Sequence, residues 1–368
     1  MSQRSDDLLE PLEPTDEEPI EDNEGIPEDE TPPVHYQITS YGADYPVDGL
    51  VTRIQEGSIY VPTFQRGYVW SINLASRFIE SLLIGLPVPG IFLSRDEDTQ
   101  KLLVIDGQQR LRTLQYFFEG VFPPLKQQFT LRKVQKPFQG ATYKSLADEH
   151  RRALNDAILH ATIVRQDAPS ADASSIYQIF ERLNTGGIRL SPQEIRTCLY
   201  HGELADLLRE LNEVDAWRHV FGKPNRRMRD QEMILRFLAL YYREPYEEYM
   251  AEFLNKYMGS NRHLQLQSKE EIIDAFVPTI ELTDRAVGAD AFRPRGVFNA
   301  AVFDAIMVGV AGRLRSGRPV EDESRLAAAT EALLANLDFQ ESTETGTAHQ
   351  DSVKTRLRLA REAFEDIP

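Results

Sequence analysis

Apolar residues recur with two alternating spacings through the first half of this chain and with one dominant spacing through the second. Val47 to Gln55 has helical periodicity, and Ser58 to Val61 is a short run of strand type stopped by Pro62. Ser71 carries the hydroxyl of an N-cap, and Leu74, Phe78 and Leu82 follow at intervals of four. That spacing predicts a helix to about Gly85 with those three on its buried face, closed by Pro87 and Pro89. Ile91-Phe92-Leu93 and Leu102-Leu103-Val104-Ile105 flank a charged turn, the pattern of a hairpin. The second run leads through Asp106-Gly107 into a helix with Leu111, Leu114 and Phe118 on one face. Gly120 to about Gly140 is less regular, Tyr143 to Asn155 is helical, and Ile158 to Arg165 reads as another strand.

Beyond Pro169-Ser170 the helical period takes over. Ile176, Ile179, Phe180 and Leu183 mark one helix, and Ser191-Pro192-Gln193-Glu194 gives the next a capping box with proline at its first position. Helices follow over Asp230 to Tyr242, Lys269 to Ala286, Phe298 to Arg315, Glu323 to Leu337 and His349 to Phe364. The expected architecture is α+β, with a mixed α/β domain over residues 34–167 and an all-helical domain over 168–368.

Composition changes this picture at the N-terminus. Of the 58 acidic residues, 13 fall within residues 1–33 against one arginine, so that segment carries −12 of the net −17 and the rest only −5. Six prolines and no aromatic residue in the same stretch leave little to bury, which predicts a disordered acidic leader. It reads either as a solvating tail or as a regulatory, DNA-mimicking one. The single cysteine, Cys198, forms no internal disulfide, and no Cys/His cluster has zinc-ligand spacing. No secretory signal pattern opens the chain, and the longest apolar stretch, Ala300 to Gly312, is interrupted by Asp304 and too short for a bilayer. The expectation is a cytoplasmic protein with no membrane partner.

Five runs could carry chemistry. Asp106-Gly107-Gln108-Gln109-Arg110-Leu111-Arg112-Thr113 lies where a strand gives way to a helix, so free N–H groups with partial positive charge are offered to an anion. Gly107 lets an anion approach the backbone, Arg110 adds a donor fork matched to phosphate, and Gln108 and Gln109 can orient a phosphate or an attacking water. Asp106 and Gln109 also have capping-box spacing, which would satisfy the helix start without a ligand. Gln65 and Arg66 sit among Phe64, Tyr68 and Trp70, rings that suit either base stacking or a core. Arg182 and Asn184 precede the pair Gly186-Gly187, which also suits a helix C-cap. The basic clusters Lys223 to Arg229 and Arg313 to Arg318 read as solvated faces or as contacts to a nucleic acid backbone.

Read together, Val61 to Trp70, Phe78 to Pro87, Val104 to Arg110 and Phe180 to Arg196 resemble the GmrSD-type N-terminal domain, the DGQQR family, related in fold to ParB nuclease-like and sulfiredoxin-like proteins. The resemblance covers roughly residues 45–200. It implies a domain that binds and hydrolyses nucleoside triphosphates in bacterial defence against modified phage DNA. On this implication, Asp106, Gln108, Gln109 and Arg110 are catalytic, and Gln65, Arg66, Gly107, Thr113, Arg182 and Asn184 bind the nucleotide. The cofactor is a nucleoside triphosphate of unknown base with magnesium, which Asp106 would hold through water. Many relatives carry an HNH-type nuclease domain. None of the seven histidines here falls in a His-Asn-His arrangement, so the expected partners are DNA and a separate nuclease or defence-system protein. The alternatives are a nucleotide-gated interaction module without turnover, and a DNA-binding or nicking protein.

Overall fold

The computed structural model describes residues 20–21, 37–61, 68–96, 99–168, 177, 179, 191–243, 245–246, 249–317 and 320–367. Those from 37 to 168, with 177 and 179, belong to one compact unit, and residues 20–21 with those from 191 onward belong to a second. The architecture is mixed α/β in the N-terminal region and helical beyond it.

Strand β1 (Ile20–Glu21) belongs to the second unit. The first unit opens on β2 (Gln37–Pro46), α1 (Val47–Gln55) and β3 (Ile59–Tyr60). It continues through α2 (Ile72–Leu83), β4 (Ile91–Arg95), β5 (Leu102–Asp106) and α3 (Gln108–Glu119). A small hairpin of β6 (Val121–Phe122) and β7 (Gln127–Gln128) follows, then α4 (Asp148–Asp156) and β8 (Ile158–Ala168). The five-stranded sheet runs β2-β8-β4-β5-β3. β2 and β8 pair antiparallel from Gln37–Ala168 to Pro46–Ile158, β8 and β4 are parallel, β4 and β5 form the expected hairpin, and β3 joins β5 in parallel.

One face of the sheet presents Ile91, Leu93, Leu102, Val104, Leu159, Ala161 and Ile163 to the helices. These pack with Leu50 of α1, Phe78 and Leu82 of α2, Leu111, Leu114 and Phe117 of α3, and Leu154 of α4. The opposite face also buries Ser94, Leu103 and Val164. Burial on both faces explains why Leu102 to Ile105 is an unbroken apolar run rather than an alternating one. The predicted stripe of α2 needs one correction: Ser71 does cap the helix, but Leu74 is exposed, and Ile72, Ala75, Phe78, Ile79 and Leu82 face the core. On α3 the buried position is Phe117, while Phe118 lies at the rim, stacked on Tyr143 at 4.1 Å.

The second unit contains α5 (Pro192–Leu199), α6 (Glu203–Leu211), α7 (Asp215–Phe221), α8 (Arg229–Tyr242), α9 (Met250–Ser260) and α10 (Lys269–Ala286). After β9 (Phe298–Asn299) come α11 (Ala300–Leu314), α12 (Glu323–Ala335), α13 (Leu337–Glu344) and α14 (Gln350–Phe364). Helix α11 is apolar apart from Asp304 and Arg313 and is buried along nearly its whole length, as suits the central helix of a bundle. Its Gly309 meets α14 so closely that an added Cβ would stand 2.7 Å from the ring of Phe364 and 2.9 Å from the carbonyl of Ala360.

Strand β9 was not expected within a helical region, and neither was its partner. Ile20–Glu21, inside the leader read as disordered, pairs in parallel with Phe298–Asn299, and Glu21 reaches Arg295 and Asn299 at 3.4 Å each. A local β-bridge plus an ion pair overrides the compositional expectation at these two residues; the rest of residues 1–33 lies outside the described residues. The helix expected over Ile176 to Leu183 likewise falls mostly outside them. No helix among the described residues is long and apolar enough to cross a membrane.

Candidate functional site

Strand β5 delivers Asp106 to the sheet end, and the chain turns at once into α3 through Gly107. Gly107 has φ +100°, a left-handed conformation that side-chain-bearing residues rarely adopt. A Cβ there would also lie 2.4 Å from Ile91 Cγ2. The glycine is therefore required by the turn and by the packing of Ile91, and on that side the space is filled rather than open to an anion.

The capping box does not form. Asp106 pairs with Arg110, Oδ2 accepting from Nη2 at 2.7 Å, and Gly107 occupies the cap position with no side chain to offer. Gln109 turns away from the helix start altogether. Its Oε1 accepts the N–H groups of Val69 at 3.0 Å and Trp70 at 3.3 Å, clamping the residues before α2 to the start of α3. The first turn of α3 thus has no side-chain cap, so its N–H groups and positive dipole end are offered outward.

Two polar atoms beside this turn are shut off from solvent without a partner among the described residues: Gln108 Oε1 and Arg110 Nε. Such groups are rare in folded proteins and mark places where a water or a ligand completes the bonding. Arg110 is 14% exposed and Asp106 is 42% exposed, so the pair has one buried and one accessible member. A single accessible carboxylate suits magnesium, which keeps most of its waters and is held by one or two carboxylates with substrate phosphates. Among the described residues no group of three or more His, Cys, Asp or Glu forms a closed metal cluster.

Thr113, expected among the nucleotide-binding residues, is buried in the core instead. Its hydroxyl donates to the Gln109 carbonyl at 2.7 Å and so accepts from the Tyr68 hydroxyl at 2.7 Å. Burial holds the Tyr68 phenol well above its ordinary range, and the ring packs edge-on against Tyr116 and Phe122. The physical reason is helical phase: Thr113 lies beside Leu114 and Phe117 on the buried side of α3, away from the first turn. Ile91, which sequence reasoning gave no part in the site, and Tyr68, weighed there for base stacking or a core and found in the core, are the residues that set the position of this turn. Gln65, Arg66, Arg182 and Asn184 lie outside the described residues.

Part of each basic cluster is engaged within the fold. Arg227 pairs with Glu194, Arg229 with Glu232, and Arg218 with Asp230, all three carboxylates being buried. Arg313 is buried and donates to the Ile367 carbonyl and Ser316. Of these clusters Lys223, Arg226 and Arg315 are exposed to solvent, and Arg318 lies outside the described residues. Helix α5 has its predicted capping box, with Ser191 Oγ accepting from Glu194 N and Glu194 accepting from Ser191 N.

The first unit thus presents an uncapped, glycine-led helix start beside an Asp–Arg pair. Residues 47–201 match the family model of the GmrSD restriction endonuclease N-terminal domain. The match takes in the sheet from β3 through β8, helices α1 to α4, and α5. No curated protein matches the chain.

Proposed function

We propose that this chain binds a nucleoside triphosphate at the start of α3 and hydrolyses it, as part of a restriction-type defence system that acts with a DNA-directed partner. The observation that carries this reading is the uncapped first turn of α3 with Gln108 Oε1 and Arg110 Nε buried beside it, neither with a partner among the described residues. The N-terminal dipole and the Arg110 fork hold phosphate oxygens, and Gln108 orients the group bound there. The accessible Asp106 carboxylate would hold magnesium through water, and the ion would supply charge neutralisation at the phosphates. Gln109 acts as a clamp that fixes the turn rather than as a group that touches the reacting atoms.

The test measures binding and phosphate release with the four ribonucleoside triphosphates and magnesium, for the wild type, Arg110→Ala and Asp106→Ala. Turnover lost in both variants supports the reading. Binding without turnover makes the protein a nucleotide-gated module. If no triphosphate binds, the reading fails.

A further inference from the structure

Strand β2 lies at one edge of the five-stranded sheet and, among the described strands, pairs only with β8. The phase of that ladder shows which backbone groups are left over. Val47 N–H donates to the Ala157 carbonyl at 3.0 Å, one step beyond the Pro46–Ile158 pair. Hydrogen-bonded and non-bonded pairs alternate along an antiparallel ladder. Thr39, Tyr41, Ala43 and Tyr45 therefore turn their N–H and C=O groups towards β8. Ile38, Ser40, Gly42 and Asp44 turn theirs outward, together with the carbonyl of Pro46. Residues 39–42 and Asp44 are exposed, Tyr41 by 39%.

Long sheet edges are ordinarily shielded by lysines, prolines, bulges or a covering element. β2 has 10 residues, no lysine or arginine, and no proline before its last position. Its one irregularity falls at its first step, between Gln37 and Ile38. Such a row of donors and acceptors is a template for another strand. The opposite edge, β3, is 2 residues long, too short to complement β2 in a head-to-tail stack. β2 is complementary to itself. Its outward positions, 38, 40, 42, 44 and 46, are centred on Gly42, so a two-fold axis there sets all of them opposite one another in an antiparallel pair.

In that register Gly42 meets Gly42, and Ile38 N–H meets the Pro46 carbonyl, so the N–H that proline lacks falls at the end of the ladder. Ser40 faces Asp44 of the second copy, and no like charges stand opposite. His160 Nδ1 engages Asp44 Oδ1 at 2.8 Å, which leaves Oδ2 to accept from the Ser40 hydroxyl of the second copy. On the helical face Tyr41 falls opposite Ala43, and Thr39 opposite Tyr45, a larger side chain against a smaller one each time. The His160 ring lies over the face of Gly42, 2.9 Å from where a Cβ would stand, so nothing projects from the strand at the axis.

We propose that two copies of this chain pair through β2, antiparallel about Gly42, and so join their sheets into one. The inference goes beyond the triphosphate reading and does not depend on it.

The experiment follows the full-length chain by sedimentation velocity across the micromolar range. The expected result is the mass of two chains at the upper end. Ser40→Pro removes an outward N–H and adds a ring at the edge while every bond to β8 stays in place. It should keep its circular dichroism and Tm, and its dimer dissociation constant should rise at least about tenfold. A cysteine pair decides the matter even where that variant fails to fold, and Cys198 is buried and does not compete. Tyr41→Cys and Ala43→Cys chains, mixed and oxidised, should give a disulfide-linked dimer, since the Cα atoms of a non-bonded pair lie about 4.5 Å apart. Either chain alone should crosslink at least about tenfold more slowly. A single-chain mass at every concentration overturns the proposal. So does a dimer that folded Ser40→Pro leaves unchanged, or one that crosslinks no faster in the mixture than through either cysteine alone.

Discussion

Single residues decide the geometry of the candidate site. Gly107→Ala forces a methyl group against Ile91 and a left-handed backbone onto a residue that resists it. The expected cost is about 1–3 kcal/mol from strain alone, read as a lower midpoint in urea unfolding. Ile91→Ala in the same chain relieves the clash but not the strain, so the double variant should recover only part of the loss. Gln109→Ala strands the N–H groups of Val69 and Trp70, and the expected loss is about 1–3 kcal/mol. Hydrogen exchange should speed up at those two amides before it does in the sheet. A retained midpoint with unchanged exchange would show that the clamp is not what fixes this turn. In the helical unit, the hydrogen bond from His263 holds the Glu203 carboxyl below the usual carboxylate range. A carboxyl depressed on folding adds stability that is present above its unfolded pKa and is lost as pH falls through the folded one. In a carbon-detected titration Glu203 should titrate at lower pH than in His263→Ala, where it returns towards the ordinary range.

At the level of elements, capping and close approach carry the more legible and the less legible halves of the fold. The box at Ser191 and Glu194 was readable because its signature is local: a hydroxyl, a proline and a glutamate within four residues. Ser191→Ala removes the cap of α5 and a hydrogen bond to the Arg227 carbonyl, with an expected loss of about 1–2 kcal/mol. The similar spacing of Asp106 and Gln109 gave the opposite outcome, because Arg110 takes the aspartate and the chain before α2 takes the glutamine. A four-residue pattern cannot anticipate competitors that arrive from forty residues away. Gly309 makes the same point between helices. Gly309→Val should separate α11 from α14 and lower Tm, whereas Gly312→Ala, with open space around it, should leave Tm within about a degree or raise it slightly through better helix propensity.

For the molecule as a whole, the deepest charges lie in the helical unit rather than at the candidate site. Asp304 of α11 is fully buried and accepts from Arg236 of α8 at 2.8 Å and from Arg356 of α14 at 3.1 Å, so one carboxylate joins three helices. Burial disfavours the charge on Arg356, and Asp304 works against that effect. Asp304→Ala leaves two guanidinium groups in the core without their counter-charge and should cost about 3–5 kcal/mol. Replacing all three by apolar residues of similar volume should recover much of the loss, since no charge then remains to be desolvated. If Asp304→Ala unfolds at the wild-type denaturant midpoint, the triad contributes nothing to the stability of this unit.

The sequence by itself determined the elements and the family model that residues 47–201 match. Helix periodicity placed α1, α2, α3 and α10 to within a few residues, the apolar runs placed the β4–β5 hairpin, and four ordered motifs identified the domain that residues 47–201 match. These signals are local, and local propensity and patterning suffice for them. Which of those residues face a ligand was decided only by the tertiary structure. Thr113 went to the core by helical phase, and Gln109 was taken up as a clamp. Arg227 and Arg229 were drawn to buried carboxylates, and His160 met Asp44, 116 residues away, only because two strands pair in one register. A side chain's role depends on its partners, and those partners are set by how sheet and helices pack rather than by their distance along the chain.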